Sequence, residues 1–197
     1  FEAVGVYVGG RNRGCTQPNL TAAWVREQVA NGWHLIPIYV GLQAPCVGQS
    51  GLQKFSSNVA AAASQGRAAA DDAAAQSAAL ALPSGSPVWF DLEGYTRSAS
   101  CTAAVQSFVA AWTTQLKSYG YLAGVYGSAA STIRDVAAIT TTKPDVVWIA
   151  NWNGVESVFG DPYVSDALWP THQRIHQYRG GHQETWGGVT INVDSNY

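Results

Sequence analysis

Mostly apolar runs recur along the chain at residues 3–9, 35–41, 88–93, 122–126, 146–152, 174–178 and 190–194. Short runs of this kind, bounded by Gly, Pro, Asn or Asp, predict strands. Most of the stretches between them carry helical signals. Asn19 or Thr21 caps a helix running to about Ala30, where Asn31-Gly32 stops it. Val105, Phe108, Val109, Trp112 and Leu116 repeat at three- and four-residue steps, up to Gly120. The Ala-rich segment 52–82 predicts one long helix or two consecutive ones with Gly66 near the break, and 131–138 predicts a shorter helix.

Strands alternating with helices predict parallel pairing and a sheet covered on both faces. Two architectures fit seven such strands: an open doubly wound sheet, or a (β/α)8 barrel one strand short. No strand is followed by a phosphate loop or dinucleotide fingerprint; "VGGR" at residues 8–11 comes nearest and lacks the spacing. Polar and aromatic residues instead gather at strand C-terminal ends, where barrel sites lie: Tyr7, Tyr39, Gln43, Asp91, Glu93, Tyr126, Trp152, Tyr178 and Asp194. The expected fold is therefore α/β, a TIM-type barrel lacking its first strand, with all seven strands parallel and one domain over residues 1–197.

Composition narrows the partners. Hydrophobic residues make up 47% of the chain and charged residues 12%, a balance that belongs to a well-buried protein. A net charge of -2 without any Lys or Arg run argues against nucleic acid, and no segment has the apolar length of a membrane span. Cys15, Cys46 and Cys101 are an odd number. Cys15 and Cys46 follow neighbouring strands at one mouth, so a disulfide between them is expected, with Cys101 free or paired outside this sequence.

The chemistry concentrates in "VWFDLEGY". Residues two apart on a strand share a face, so Asp91 and Glu93 point side by side from an apolar run. Two crowded carboxyls repel and lose hydration, a cost that function offsets more readily than structure does. Asn192 and Asp194 form a similar pair near the last strand's end. Three carboxyls at one mouth would divide into a protonated acid and ionised neighbours, the arrangement glycosidic cleavage uses. On this reading Glu93 has the raised pKa and Asp91 is held ionised by hydrogen bonds. The plainer alternative is that strand-end acids accept loop N–H bonds. Tyr7, Tyr39, Tyr126, Trp152, Tyr178 and Trp186 add a rim of aromatic faces suited to sugar C–H surfaces, while Trp24, Trp89, Trp112 and Trp148 belong to the core. A metal held by His176 with the acids lacks any supporting ligand spacing, so no metal or other cofactor is expected.

The stretches "VGVYVGGRNRGCTQPNLT", "GWHLIPIYVGLQAPC", "VWFDLEGY", "WIANWNG", "RIHQYRGG" and "GGVTINVDSN" together resemble the actinobacterial glycoside-hydrolase-like domain, formerly a family of unknown function. That family is distantly similar to the muramidases of glycoside hydrolase family 25. The resemblance implies a barrel with Glu93 as the acid and Asp91 and Asp194 as supporting carboxylates. It also implies a further Asp on an earlier strand, which a segment preceding Phe1 would supply while completing the barrel. The expected activity is hydrolysis of a peptidoglycan-type β-linked glycan by a secreted or cell-wall-associated protein. Tyr7, Tyr39, Gln43, Tyr126, Trp152 and Tyr178 are the expected substrate contacts. The alternative is a catalytically silent glycan-binding or cell-envelope module.

Overall fold

The computed structural model describes residues 2–197. Its seven strands form one sheet in sequence order: β1 (Ala3–Gly9), β2 (His34–Tyr39), β3 (Pro87–Asp91), β4 (Leu122–Ser128), β5 (Val146–Ala150), β6 (Arg174–Trp186) and β7 (Val189–Asn196). Neighbours from β1 to β6 run parallel. The sheet curls into a half-barrel and does not close into the full eight-stranded barrel expected from the sequence.

The last strand corrects a second expectation. β7 runs antiparallel to β6 in a long hairpin. Its turn is Gly187-Gly188, with φ of +56° and +82°, the left-handed pair that a two-residue hairpin needs. The segment after Tyr178 is too short for the crossover helix that a parallel return requires. β6 simply continues through it.

Helices cover the outer face. Thr21 caps α1 (Ala22–Ala30) by accepting from Trp24 N, Asn58 caps α2 (Val59–Ala79), and Ser98 caps α3 (Ala99–Ser118). α2 is one helix, unbroken at Gly66. A Cβ at that glycine would stand 2.3 Å from the Phe108 carbonyl oxygen, so the residue serves close approach to α3. After β4 a π-helical turn, Ala129–Ile133, leads into α4 (Arg134–Ala137).

Two apolar clusters result. The larger lies between sheet and helices and includes Phe90, Phe108, Trp112, Val125 and Ile149. The smaller fills the concave face with Trp89, Val146 and Trp148, flanked by Ile36, Ile38, Tyr126 and Ile175. Trp148 meets both Trp89 and Tyr126 edge-on, at centroid distances of 5.7 and 5.4 Å. These aromatics form the floor on which the polar residues of the mouth stand.

The cysteine expectation is also overturned. Cys46 is bonded to Cys101, and Cys15 is a free, exposed thiol. The loop after β2 turns toward the N-terminus of α3, which brings Cys46 to Cys101 and away from Cys15. Among the described residues, no helix is long and apolar enough to cross a membrane.

Candidate active site

β3 sends Trp89 and then Asp91 to the concave face, and Glu93 follows two residues past the strand end. Gln43 fixes that end. Its Nε2 donates to the Asp91 carbonyl and its Oε1 accepts from Glu93 N, both at 2.8 Å. The side chain is fully buried.

The two carboxyls have different surroundings. Asp91 is buried, and its Oδ1 has no hydrogen-bond partner among the described residues. Burial, with the charge of Glu93 adding to it, pushes the Asp91 pKa up to about 8. Asp91 therefore carries a proton at neutral pH, opposite to the ionised state expected from the sequence. Glu93 is solvent-accessible. Crowding by protein atoms raises its pKa, the Gly94 N–H opposes that shift, and Asp194 adds to it.

Asp194 comes from the opposite direction, on β7. Gln177 on β6 donates from Nε2 to Asp194 Oδ2 at 3.0 Å. Gln177 Oε1 accepts from Tyr126 Oη at 2.9 Å and from Trp152 Nε1 at 2.8 Å. An indole nitrogen only donates, so the orientation of this amide is chemically forced. Desolvation raises the Asp194 pKa, and His182 works against that shift.

Tyr7 and Tyr126 report the convergence of the three acids. Burial raises both phenols above their ordinary range, and each is raised further by the charges of Asp91, Glu93 and Asp194. Tyr126, but not Tyr7, lines a cavity of about 300 Å³ together with Glu93, Gly94, Ser128, Asn151 and Trp152, among others. Trp152 is 67% exposed although its N–H is tied to Gln177.

Other expected residues lie elsewhere. Tyr39 is in the helix-side core, donating to Asp72 at 2.7 Å and packing against Phe90 and Trp112. Tyr178 sits next to His176, with ring centroids 6.5 Å apart, and not at this cavity. Trp186 is on the hairpin, donating to Glu184. His176 has both ring nitrogens against backbone carbonyls, of Ser157 and Asn151, and neither remains for a metal. Among the described residues, no three His, Cys, Asp or Glu side chains are grouped to hold a metal ion.

The residue that sequence reading passed over is Gln177. Counting alternately from Ile175, which packs on the concave floor, selects Gln177 and not its aromatic neighbour Tyr178.

The sequence profile of the Rv2525c-like, glycoside hydrolase-like domain matches residues 1–197. The chain belongs to that family. Solved structures with the same fold include the Tat-secreted protein Rv2525c of Mycobacterium tuberculosis, in complex with HEPES. It is 16% identical with a TM-score of 0.62, over 98% of this chain and 84% of that one. The spore cortex lytic enzyme SleM of Clostridium perfringens is 12% identical with a TM-score of 0.62, over 99% of this chain and 59% of that one. The modular autolysin LytC of Streptococcus pneumoniae is 14% identical with a TM-score of 0.60, over 99% of this chain and 40% of that one. At these identities the likeness establishes the fold. No curated protein matches the chain. The glycoside hydrolase-like domain thus gathers Asp91, Glu93 and Asp194 around Tyr7 and Tyr126.

Proposed function

We propose that this protein hydrolyses a peptidoglycan-type β-linked glycan, with Glu93 as general acid. The observation that carries the reading is the pairing of Glu93 with the exposed indole of Trp152 across one cavity. A sugar ring stacked on the indole would place its glycosidic oxygen within the reach of the carboxyl. The raised pKa of Glu93 keeps it protonated further toward neutrality than an ordinary glutamate. Asp194, aligned by Gln177, is the carboxylate for water activation, for support of the developing positive charge, or for orienting an N-acetyl group. Asp91 stays neutral beneath them and so spares Glu93 a second adjacent charge.

Lytic enzymes among the structural relatives support a cell-wall glycan as substrate, and the Tat-secreted relative supports an extracellular or cell-wall location. A segment pairing with the free edge of β1 would complete the barrel and bring the additional Asp that the family resemblance implies. No cofactor enters this mechanism.

A silent glycan-binding module is the second reading. It is favoured by one observation: Glu93 is the single carboxylate lining the cavity. Glu93→Gln separates the two. For an enzyme, release of reducing ends from peptidoglycan falls by about 10²- to 10⁴-fold with binding retained. For a binder, the wild-type protein releases none and still binds the glycan.

A further inference from the structure

The cavity beside Glu93 adjoins another. A second cavity, of about 520 Å³, is lined by Gly48, Tyr95, Thr96, Arg97 and Ser131, among others, and shares Gly94 and Ser128 with the first. Gly94 keeps the passage between them low. A Cβ there would stand 3.2 Å from the Ser128 Cβ, and anything longer would fill the saddle.

Arg97 is held unusually well for a side chain that is 36% exposed. Its Nε and Nη2 reach the same oxygen of buried Asp135, Oδ1, at 2.8 and 2.7 Å. The other oxygen of Asp135 accepts from Tyr95 Oη at 2.9 Å and Thr102 Oγ1 at 2.8 Å. The guanidinium is therefore gripped by one side edge. The end edge, made by Nη1 and the remaining N–H of Nη2, has no hydrogen-bond partner among the described residues, and Arg97 is part of the cavity wall.

That end edge offers two parallel N–H bonds with the spacing of a carboxylate's two oxygens. Because Asp135 already immobilises the group, little further side-chain freedom is lost when it binds. Asp135 also neutralises Arg97, so recognition is short-ranged and geometric, without long-range attraction. The surrounding wall is cross-linked as well. Cys46–Cys101 ties the loop that carries Gly48 to the start of α3, just past Arg97.

We propose that the second cavity is a subsite for a carboxylate carried by the glycan, received on the free edge of Arg97. This rests on reading the first cavity as a glycan site. The substrate is then an acidic glycan, whose chain passes over Gly94 between the two cavities.

The test uses Glu93→Gln protein, to prevent turnover, and calorimetric titration with two oligosaccharides of equal length. One is neutral chitotetraose. The other alternates N-acetylglucosamine with N-acetylmuramic acid, which adds lactyl carboxylates to the same backbone. The acidic probe should bind at least about tenfold tighter. Adding Arg97→Lys keeps a cation for Asp135 and removes the fork, so the preference should shrink to about twofold or less, with affinity for chitotetraose unchanged. Preference surviving in that variant, or absent in its parent although both sugars bind, overturns the subsite. If neither sugar binds, the glycan reading has failed by itself, and acetate decides the subsite. A saturable shift of the Arg97 Nε–H resonance supports it, and no shift overturns it.

Discussion

Trp152 rests on Gly180. A Cβ at position 180 would meet three atoms of the indole at 2.6 to 2.8 Å, so β6 has no side chain where the ring lies. One face of the indole is backed by Gly180, its N–H is tied to Gln177, and the ring lines the same cavity as Glu93. The ring is a preorganised platform, which lowers the ordering cost of binding. Gly180→Val should lift it and weaken oligosaccharide affinity by about tenfold, as should Trp152→Ala. The double variant should be no worse than either single one, because both remove the same platform. Calorimetric titration of all three measures this; additive losses would separate the two residues.

Asp91 makes stability depend on pH. Its pKa is about 8 in the folded chain, against an ordinary value near 4. Between those limits the native state holds a proton that the unfolded state has released. Stability therefore falls as pH rises through this window, by up to about 1.4 kcal/mol per unit from this group. Below about pH 4 both states are protonated and the penalty vanishes. Asp91→Asn should flatten the slope and leave the protein more stable than wild type at pH 8, as judged by chemical denaturation across the window. An unchanged slope would mean that Asp91 is ionised in the native protein.

Gln177 serves three partners through one amide, and two substitutions divide its roles. Gln177→Glu retains an acceptor for Trp152 and Tyr126 but turns a carboxyl toward Asp194. It should raise the Asp194 pKa further, by about one unit or more, while sugar binding persists. Gln177→Leu removes everything and should weaken binding by about tenfold. Carboxyl carbon resonances followed through a pH titration report the first effect, and calorimetry reports the second. A Gln177→Glu variant with Asp194 unshifted would show that the two side chains are not in contact in solution.

The disulfide closes a separation of 55 residues between Cys46 and Cys101. Restricting a loop of that length in the unfolded chain stabilises by up to about 4 kcal/mol in the chain-entropy account. Replacing both cysteines by serine should lower stability toward that extent, and reductant should then have no further effect. Cys15→Ser should be neutral in denaturation experiments. A large loss on changing Cys15 would restore the Cys15–Cys46 pairing read from the sequence.

Strand positions were legible because each is an apolar run between clear stops, and the cap at Thr21, one of the two candidates with Asn19, needed only local hydrogen bonding. The alternation that put Asp91 over Trp89 also came from local geometry. What escaped was set by distant contacts. The direction of β7 depends on a Gly-Gly turn between the last two apolar runs, and the pairing of Cys46 depends on where the loop after β2 travels. The protonation order of Asp91 and Glu93 could not be read from spacing, since it follows from which carboxyl ends up under the neighbouring strands. Tyr39 illustrates the same limit: its place at a strand end was right, and its face was decided by core packing with Phe90 and Trp112.

Gln43 gives the site an unusual kind of joint. β2 ends at Tyr39, so past that point β3 has lost its neighbour on that side. The Gln43 side chain takes over, donating and accepting as a peptide group would, while its own backbone pairs with Gln53 and Phe55 in the following loop. One amide thus splices a loop onto the sheet. The loop between residues 44 and 52 can then change length or sequence without moving Glu93, provided that the splice and the Cys46–Cys101 bond are kept. Under the proposed function, variation in substrate preference has a place to accumulate there, insulated from Glu93 by a single side chain.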